Sequence, residues 1–399
     1  MYVTQMNSIV RNIPKVYLII GVYISAVFLV MVFRHDVFTN YFTDPKAVFD
    51  ANHYIDIATK GYHNSGVTAF YPLWPLVIRG LSVVFTSHSS LIIASNLTAF
   101  MLFLLALVPM FRLLRGFTSD NVAWAWVALY SLNPNSMFHA LAYSESLFAF
   151  LLIYYLTETV GYFKNSAKRI TLVWIFALAA LISLTRPMLP IITACIVGAG
   201  FVRWVTHGVG ALNIVFKHAF ATLTGTLMGY SMYGLYCLQK FGNFWQPFAA
   251  QANWDRSIGL NWSLIHSPKS VSGSDNVLTW DFQAFWGPII LVIISAVFLF
   301  WKRTRINSAI DSLLNQYLFW FCLFFAFCHS MIAFLTYDIF MSTGRHVWGL
   351  PAFFIALALF FQVVGDSKWK TFAYRFYFFA SYIYLGIWWA RLAKQSWIG

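Results

Sequence analysis

The run AFYPLWPLVIRG, Ala69 to Gly80, decides how the rest of the chain is read. It sits in an apolar stretch, Val67 to Phe85, long enough to be taken for a membrane span. Pro72, Pro75 and Arg79 argue against a span, because prolines break the helical hydrogen-bond ladder and a guanidinium in hydrocarbon is costly. The stretch reads as an interfacial helix. The choice matters because spans alternate in direction, so crossing here would reverse the side of every later loop.

The 399 residues are 60% hydrophobic, 20% aromatic and only 10% charged. With a mean hydropathy of +0.68, that composition describes a polytopic membrane protein. Eleven apolar runs match the length of a span: 16–33, 91–111, 121–138, 146–163, 170–185, 187–202, 219–239, 287–301, 314–337, 350–365 and 372–390. If 67–85 does not cross and the N-terminus is inside, 15 of the 26 Lys and Arg fall in short inner segments: Arg11, Lys15, Arg112, Arg115, Lys164, Lys168, Arg169, Arg203, Lys217, Lys302, Arg303, Arg305, Lys368, Lys370 and Arg375. Nine of the 13 acids (Asp36, Asp44, Asp50, Asp56, Glu145, Asp255, Asp275, Asp281 and Asp338) fall on the other side. This is the asymmetry that positive-inside topology requires. The net charge of +13 is therefore a topology signal, and nucleic acid is not an expected partner.

The chain reads as one polytopic domain, 1–399, with a first outer loop at 34–90 and a second at 240–286. The first span lacks a small-residue cleavage site and is read as retained. Cys195, Cys237, Cys322 and Cys328 lie in or beside apolar runs with no CxxC spacing and read as small core residues. No GxGxxG, Walker lysine or HExxH pattern is present. A nucleotide fold or a divalent metal is thus unsupported.

The densest polar constellation is FDANHYIDIATKGYHNSGVTAFYPLWP, Phe49 to Pro75. Asp50, His53 and Tyr54 are spaced to share one helical face, from which Asp56 points away. Asp50 reads equally as a general base for an incoming hydroxyl or as a helix N-cap. In LNPNSMFHALAYSESLF, Leu132 to Phe148, Glu145 opens a span, where dipole compensation is the plain explanation. STGRHVWGLP, Ser342 to Pro351, places Arg345 and His346 in an outer turn that topology does not ask to be basic. Arg345 there suits a bidentate phosphate contact, or a side chain snorkelling to the interface. Arg186, between two spans with almost no loop, is an ionisable group held near the bilayer and so a candidate site residue.

Phe49-Asp50 followed by Tyr54, Ile57-Ala58, Gly61-Tyr62, Ala69-Phe70-Tyr71-Pro72 and Pro75 resembles the first outer loop of the PIG-V family, the GPI mannosyltransferase II proteins and their prokaryotic relatives. Asn133-Pro134 with Tyr143-Ser144-Glu145-Ser146-Leu147-Phe148, and Arg345-His346 before Pro351, are similar to two further family motifs in the same order. Phe49, Tyr71 and Ser144 depart mildly from the family's Trp, Phe and Thr. The resemblance implies an all-α GT-C-type bundle of about 11 transmembrane helices with an amphipathic helix in the first outer loop. It also implies transfer of mannose, with inversion, from polyprenyl- or dolichyl-phosphate-mannose to a glycolipid on the outer or lumenal face of a prokaryotic plasma membrane or the ER. Asp50 would be the base, and Arg345, His346 and Arg186 would hold the donor phosphate. Asn52, His53, Tyr54, Tyr71 and Glu145 would contact substrate. Expected partners are membrane lipids, with room for an accessory membrane subunit. The rival readings are another lipid-phosphate sugar or a lipid or sugar transporter. Polar residues gathered on one face, with few midplane ionisable groups and no obvious repeats, favour the enzyme.

Overall fold

The computed structural model describes residues 20, 21, 23, 24, 27, 31, 32, 35–43, 49–164, 169–254, 259–269, 275–301, 316–336, 342–363 and 368–393. Among these there is no strand. An amphipathic helix, α1 (Asp50–Lys60), and a second short one, α2 (Leu73–Ser82), precede the long elements. Those are α3 (His88–Arg115), α4 (Asp120–Leu132), α5 (Glu145–Lys164), α6 (Arg169–Thr185), α7 (Leu189–His207), α8 (Leu212–Phe241), α9 (Asp275–Trp301) and α10 (Tyr317–Thr336). The chain continues through a single turn, α11 (Thr343–Val347), into α12 (Pro351–Val363) and α13 (Lys368–Ala393). Five described helices, in α3, α5, α7, α9 and α10, are long and apolar enough to cross a membrane.

Ten of the eleven expected runs coincide with long helices. Most of the first, 16–33, lies outside the described residues, as do Arg11, Lys15, Lys168, Lys302, Arg303, Arg305, Asp44, Asp255 and Asp338. Segment 67–85 contains a helix of ten residues. At 1.5 Å per residue this spans roughly 15 Å, half of the roughly 30 Å needed to cross hydrocarbon. Two boundaries shift. The run 121–138 ends as α-helix at Leu132, because Pro134 cannot continue the ladder, and Pro134–Ala140 forms a fully buried 3₁₀ segment. Residues 275–286, read as outer loop, belong to α9, where Asp281 is buried.

The long helices are apolar nearly all round, with one side packed inward and the other carrying exposed Val197, Phe201, Phe216, Phe220, Leu235 and Ile293. In water such a surface would be an aggregation site; in lipid it is the solvent-facing side. Inside, close helix contact is achieved by small residues. Gly225 and Gly229, one turn apart on α8, lie against the backbone of α6 at Phe176 and Ala180, where an added Cβ would collide with a carbonyl oxygen. At the end away from α1, Lys164 Nζ donates to Gly116 O at 3.3 Å and lies 4.1 Å above the Phe117 ring.

Candidate functional site

At the other end, segments distant in sequence converge. The loop before α2 is tied down by Tyr62, which donates to Phe70 O at 2.7 Å, and by Tyr233 of α8, which donates to Thr68 O at 2.9 Å. Trp74 of α2 donates to Ala142 O at 2.9 Å, fixing α2 to the buried turn before α5. Phe49 and Ser342 are the two non-glycine residues with positive φ among those described, at 49° and 59°. One directly precedes Asp50 and the other lies three residues before Arg345. Backbone strain of this kind persists where surrounding packing over-determines it, and it collects at functional sites.

Asp50 occupies the first turn of α1, and Phe49 at the cap position makes no side-chain cap. Asp50 itself engages Arg345: its Oδ2 accepts from Nη1 at 2.6 Å. Arg345 does not snorkel. It is buried, its Nε donates to Glu145 Oε1, and its guanidinium lies 4.5 Å from the ring centroid of Tyr143 and 5.0 Å from that of Phe138. Burial alone would push its pKa down; the carboxylates of Glu145 and Asp50 outweigh that and hold it well above the usual value.

Glu145 is fully buried and does more than compensate a helix dipole. The same Oε1 accepts from Arg186 Nη2, so one carboxylate oxygen holds both guanidiniums. Arg186 also donates from Nε to Ser144 Oγ at 3.3 Å and from Nη1 to His346 Nδ1 at 3.2 Å. Tyr54 completes the shell by donating to Ser144 Oγ at 2.9 Å. Two carboxylates against two guanidiniums leave the cluster formally neutral, so the buried charges are paired as stability requires.

A cavity of about 410 Å³ opens on this network, with Asp50, His53, Tyr54, Tyr71, Arg186, Arg345 and His346 on its wall. His53 stacks on Phe70 at 4.7 Å. Tyr71 is almost fully buried, with its hydroxyl unpartnered among the described residues. Burial raises its pKa well above the usual value, so the hydroxyl is a neutral donor. Glu145 stands behind the wall. Asn52 is exposed and outside the cavity lining, and Asp56 faces away, paired with Lys60 at 2.6 Å and His63 at 3.3 Å. The opposite wall is apolar: Met188 and Ile191 at the start of α7, and Ile332 and Ala333 near the end of α10. The cavity is thus amphipathic. Among the described residues no group of three or more His, Cys, Asp or Glu is arranged to hold a metal ion.

The family described as Mannosyltransferase (PIG-V) matches residues 24–232, just over half of the sequence. The chain belongs to the PIG-V mannosyltransferase family. The match contains Asp50, Glu145 and Arg186 and ends well before Arg345. GPI mannosyltransferase 2 of Drosophila melanogaster is 28% identical over 118 residues, which cover 28% of this chain and 26% of that protein. The protein of the same name from Drosophila pseudoobscura pseudoobscura is 27% identical over 110 residues, covering 26% and 24%. The similarity thus spans about a quarter of the length of these relatives. Among solved structures, the archaeal oligosaccharyltransferase AglB from Archaeoglobus fulgidus, in complex with an inhibitory peptide and a dolichol-phosphate, aligns over 94% of this chain and 56% of its own, with a TM-score of 0.47 and 12% identity. An Archaeoglobus fulgidus oligosaccharyltransferase complexed with Zn and sulfate covers 83% and 45%, with a TM-score of 0.42 and 16% identity. At those scores the likeness carries no conclusion about the PIG-V site, which rests on its own residues.

Beyond the apolar lining residues, His329 and Gln251 of the cavity and Asp281 of the supporting network are polar residues that were not site candidates in the sequence. His329 had a signal, being an ionisable side chain inside the Phe-rich run of α10. Asp281 had none, because the boundary of the second outer loop hid it.

Proposed function

We propose that the protein is a GT-C glycosyltransferase that transfers mannose, with inversion, from a polyprenyl- or dolichyl-phosphate-mannose to a glycolipid acceptor at the outer or lumenal face. The observation that carries this reading is the Asp50–Arg345 contact at 2.6 Å on the wall of an amphipathic cavity. A lipid-phosphate sugar is itself amphipathic. Its tail suits the side made by Met188, Ile191, Ile332 and Ala333, between two helices apolar enough to span, and its phosphate suits the guanidiniums of Arg186 and Arg345.

The chemistry then needs one base and one anion stabiliser. Asp50, whose side chain is 25% exposed, takes the proton of the acceptor hydroxyl. The hydroxyl oxygen forms its bond to the anomeric carbon as the bond from that carbon to the phosphate oxygen breaks, with the electron pair leaving on the phosphate. The lipid phosphate gains a negative charge in that step, beside Arg345, Arg186 and His346. Glu145 fits the base role poorly, since its Oε1 is shared by two guanidiniums and no part of it meets solvent. We assign it to positioning both arginines.

The test is incubation of the purified protein with polyprenyl-phosphate-mannose and candidate glycolipids, read by mass spectrometry. Mannosylated acceptor is expected. Movement of substrate across a vesicle membrane with no new glycosidic bond would favour the transporter reading, and transfer of a different hexose from its own lipid phosphate would correct the sugar.

A further inference from the structure

His329 lies on α10, seven residues before its C-terminal end, and it is 7% exposed on the cavity wall. It shares a face with Ile332 and Ala333, which line the apolar side, and its ring stacks 5.9 Å from that of His346. It therefore stands where the polar and apolar walls meet.

The hydrogen bonds fix its tautomer. Nδ1 of His329 faces Phe325 O at 2.9 Å. A carbonyl only accepts, so Nδ1 carries the proton and the neutral ring keeps a lone pair on Nε2. His346 is set the opposite way: Arg186 Nη1, which only donates, lies 3.2 Å from its Nδ1, so that nitrogen accepts and the ring proton belongs on Nε2. The two stacked rings thus differ in what they offer.

This difference selects among ligand atoms. Arg186 and Arg345 only donate, and a phosphate diester, like a doubly ionised phosphate monoester, only accepts, so the phosphate pairs with the guanidiniums and offers nothing to a lone pair on His329. A pyranose hydroxyl does. We propose that His329 Nε2 accepts a hydrogen bond from a hydroxyl of the donor sugar and makes the cavity prefer a glycosylated lipid phosphate over the bare lipid phosphate. The proposal rests on the reading of the cavity as a lipid-phosphate-sugar site.

Equilibrium binding to the purified full chain tests it, with polyprenyl-phosphate-mannose and polyprenyl phosphate as the two probes. His329→Asn keeps a group that reaches the Phe325 carbonyl but withdraws the Nε2 position; His329→Gln restores an acceptor there. The wild type is expected to prefer the mannosylated probe, His329→Asn to lose that preference by about tenfold with bare-phosphate binding within about twofold, and His329→Gln to recover most of it. Equal loss for both probes would mean that the imidazole holds the phosphate, and an unchanged preference in His329→Asn would mean that it touches no hydroxyl; either overturns the proposal. A variant that does not fold is replaced by monodeoxy-mannosyl probes on the wild type: if removal of no single hydroxyl erodes the preference, the proposal fails. A preference lost in His329→Asn while the wild type transfers no mannose would keep this inference and sink the proposed reaction.

Discussion

At the scale of single residues, the site turns on which carboxylate remains available. Asp50 and Glu145 both contact Arg345, yet Asp50 lines the cavity and Glu145 is enclosed behind it. Asp50→Asn keeps the size and a neutral contact to Arg345 while removing basicity. It is expected to leave a folded protein with transfer lowered about 10²–10⁴-fold, whereas Asp56→Asn, off the cavity, keeps most activity in the same assay. Arg345→Lys keeps charge but loses the fork that bridges two carboxylates and should weaken donor use by about 1–3 kcal/mol, read as a rise in donor KM. Glu145→Gln leaves two buried guanidiniums without their shared counter-charge, so the expected result is a loss of about 3–5 kcal/mol in stability, seen as a lowered melting temperature in detergent as well as lost activity. Unaltered melting would contradict the buried network. These residues were each legible as candidates from type and position. Their partners were not, because pairing of Asp50 with Arg345 joins positions 295 apart in sequence.

At the scale of elements, α2 and α11 carry the most consequence. A ten-residue α2 is too short to cross hydrocarbon as a helix, and we propose that the segments on either side of it share one face. Single cysteines at Ser65 and Ser87, both exposed, should label from the same side with a membrane-impermeant thiol reagent; labelling from opposite sides would invert every later loop. The native cysteines, three buried and one half-buried, give a low background. The turn α11 holds Arg345 in place through its backbone: Gly344 N donates to Asp281 Oδ1 of α9 at 2.6 Å. A Cβ on Gly344 would stand 3.1 Å from that oxygen and 3.2 Å from Asn135 Oδ1. Gly344→Ala is therefore expected to raise the donor KM by shifting Arg345, with little change in detergent extraction or folding yield. The sequence pattern of α1 already placed Asp50, His53 and Tyr54 together on one face. The inward turn of 275–286 was illegible, because an apolar helix end and an apolar loop share composition and only packing against α11 separates them.

At the scale of the whole molecule, the fold places a charged, self-neutralised cluster at one end of an apolar bundle and leaves lipid-facing side chains around its girth. Helix contact inside that bundle depends on missing side chains rather than on hydrophobic attraction, since lipid is as apolar as the helices it competes with. Gly225→Val, at the α6–α8 contact, should separate these helices and lower the melting temperature and detergent-extracted yield, without touching any cavity residue. The apolar, all-helical membrane character, the order of the ten runs that coincide with described helices, the face of α1 and the family motifs were determined by sequence alone, because hydropathy, helical period and local motifs are properties of neighbouring residues. The tertiary structure decided that Glu145 is an internal counter-ion, that Arg345 is buried and paired, and that His329 and Asp281 belong to the site or its support. Those outcomes depend on which helix ends meet, and contacts across hundreds of residues are settled by packing and burial, for which a linear pattern carries no signal.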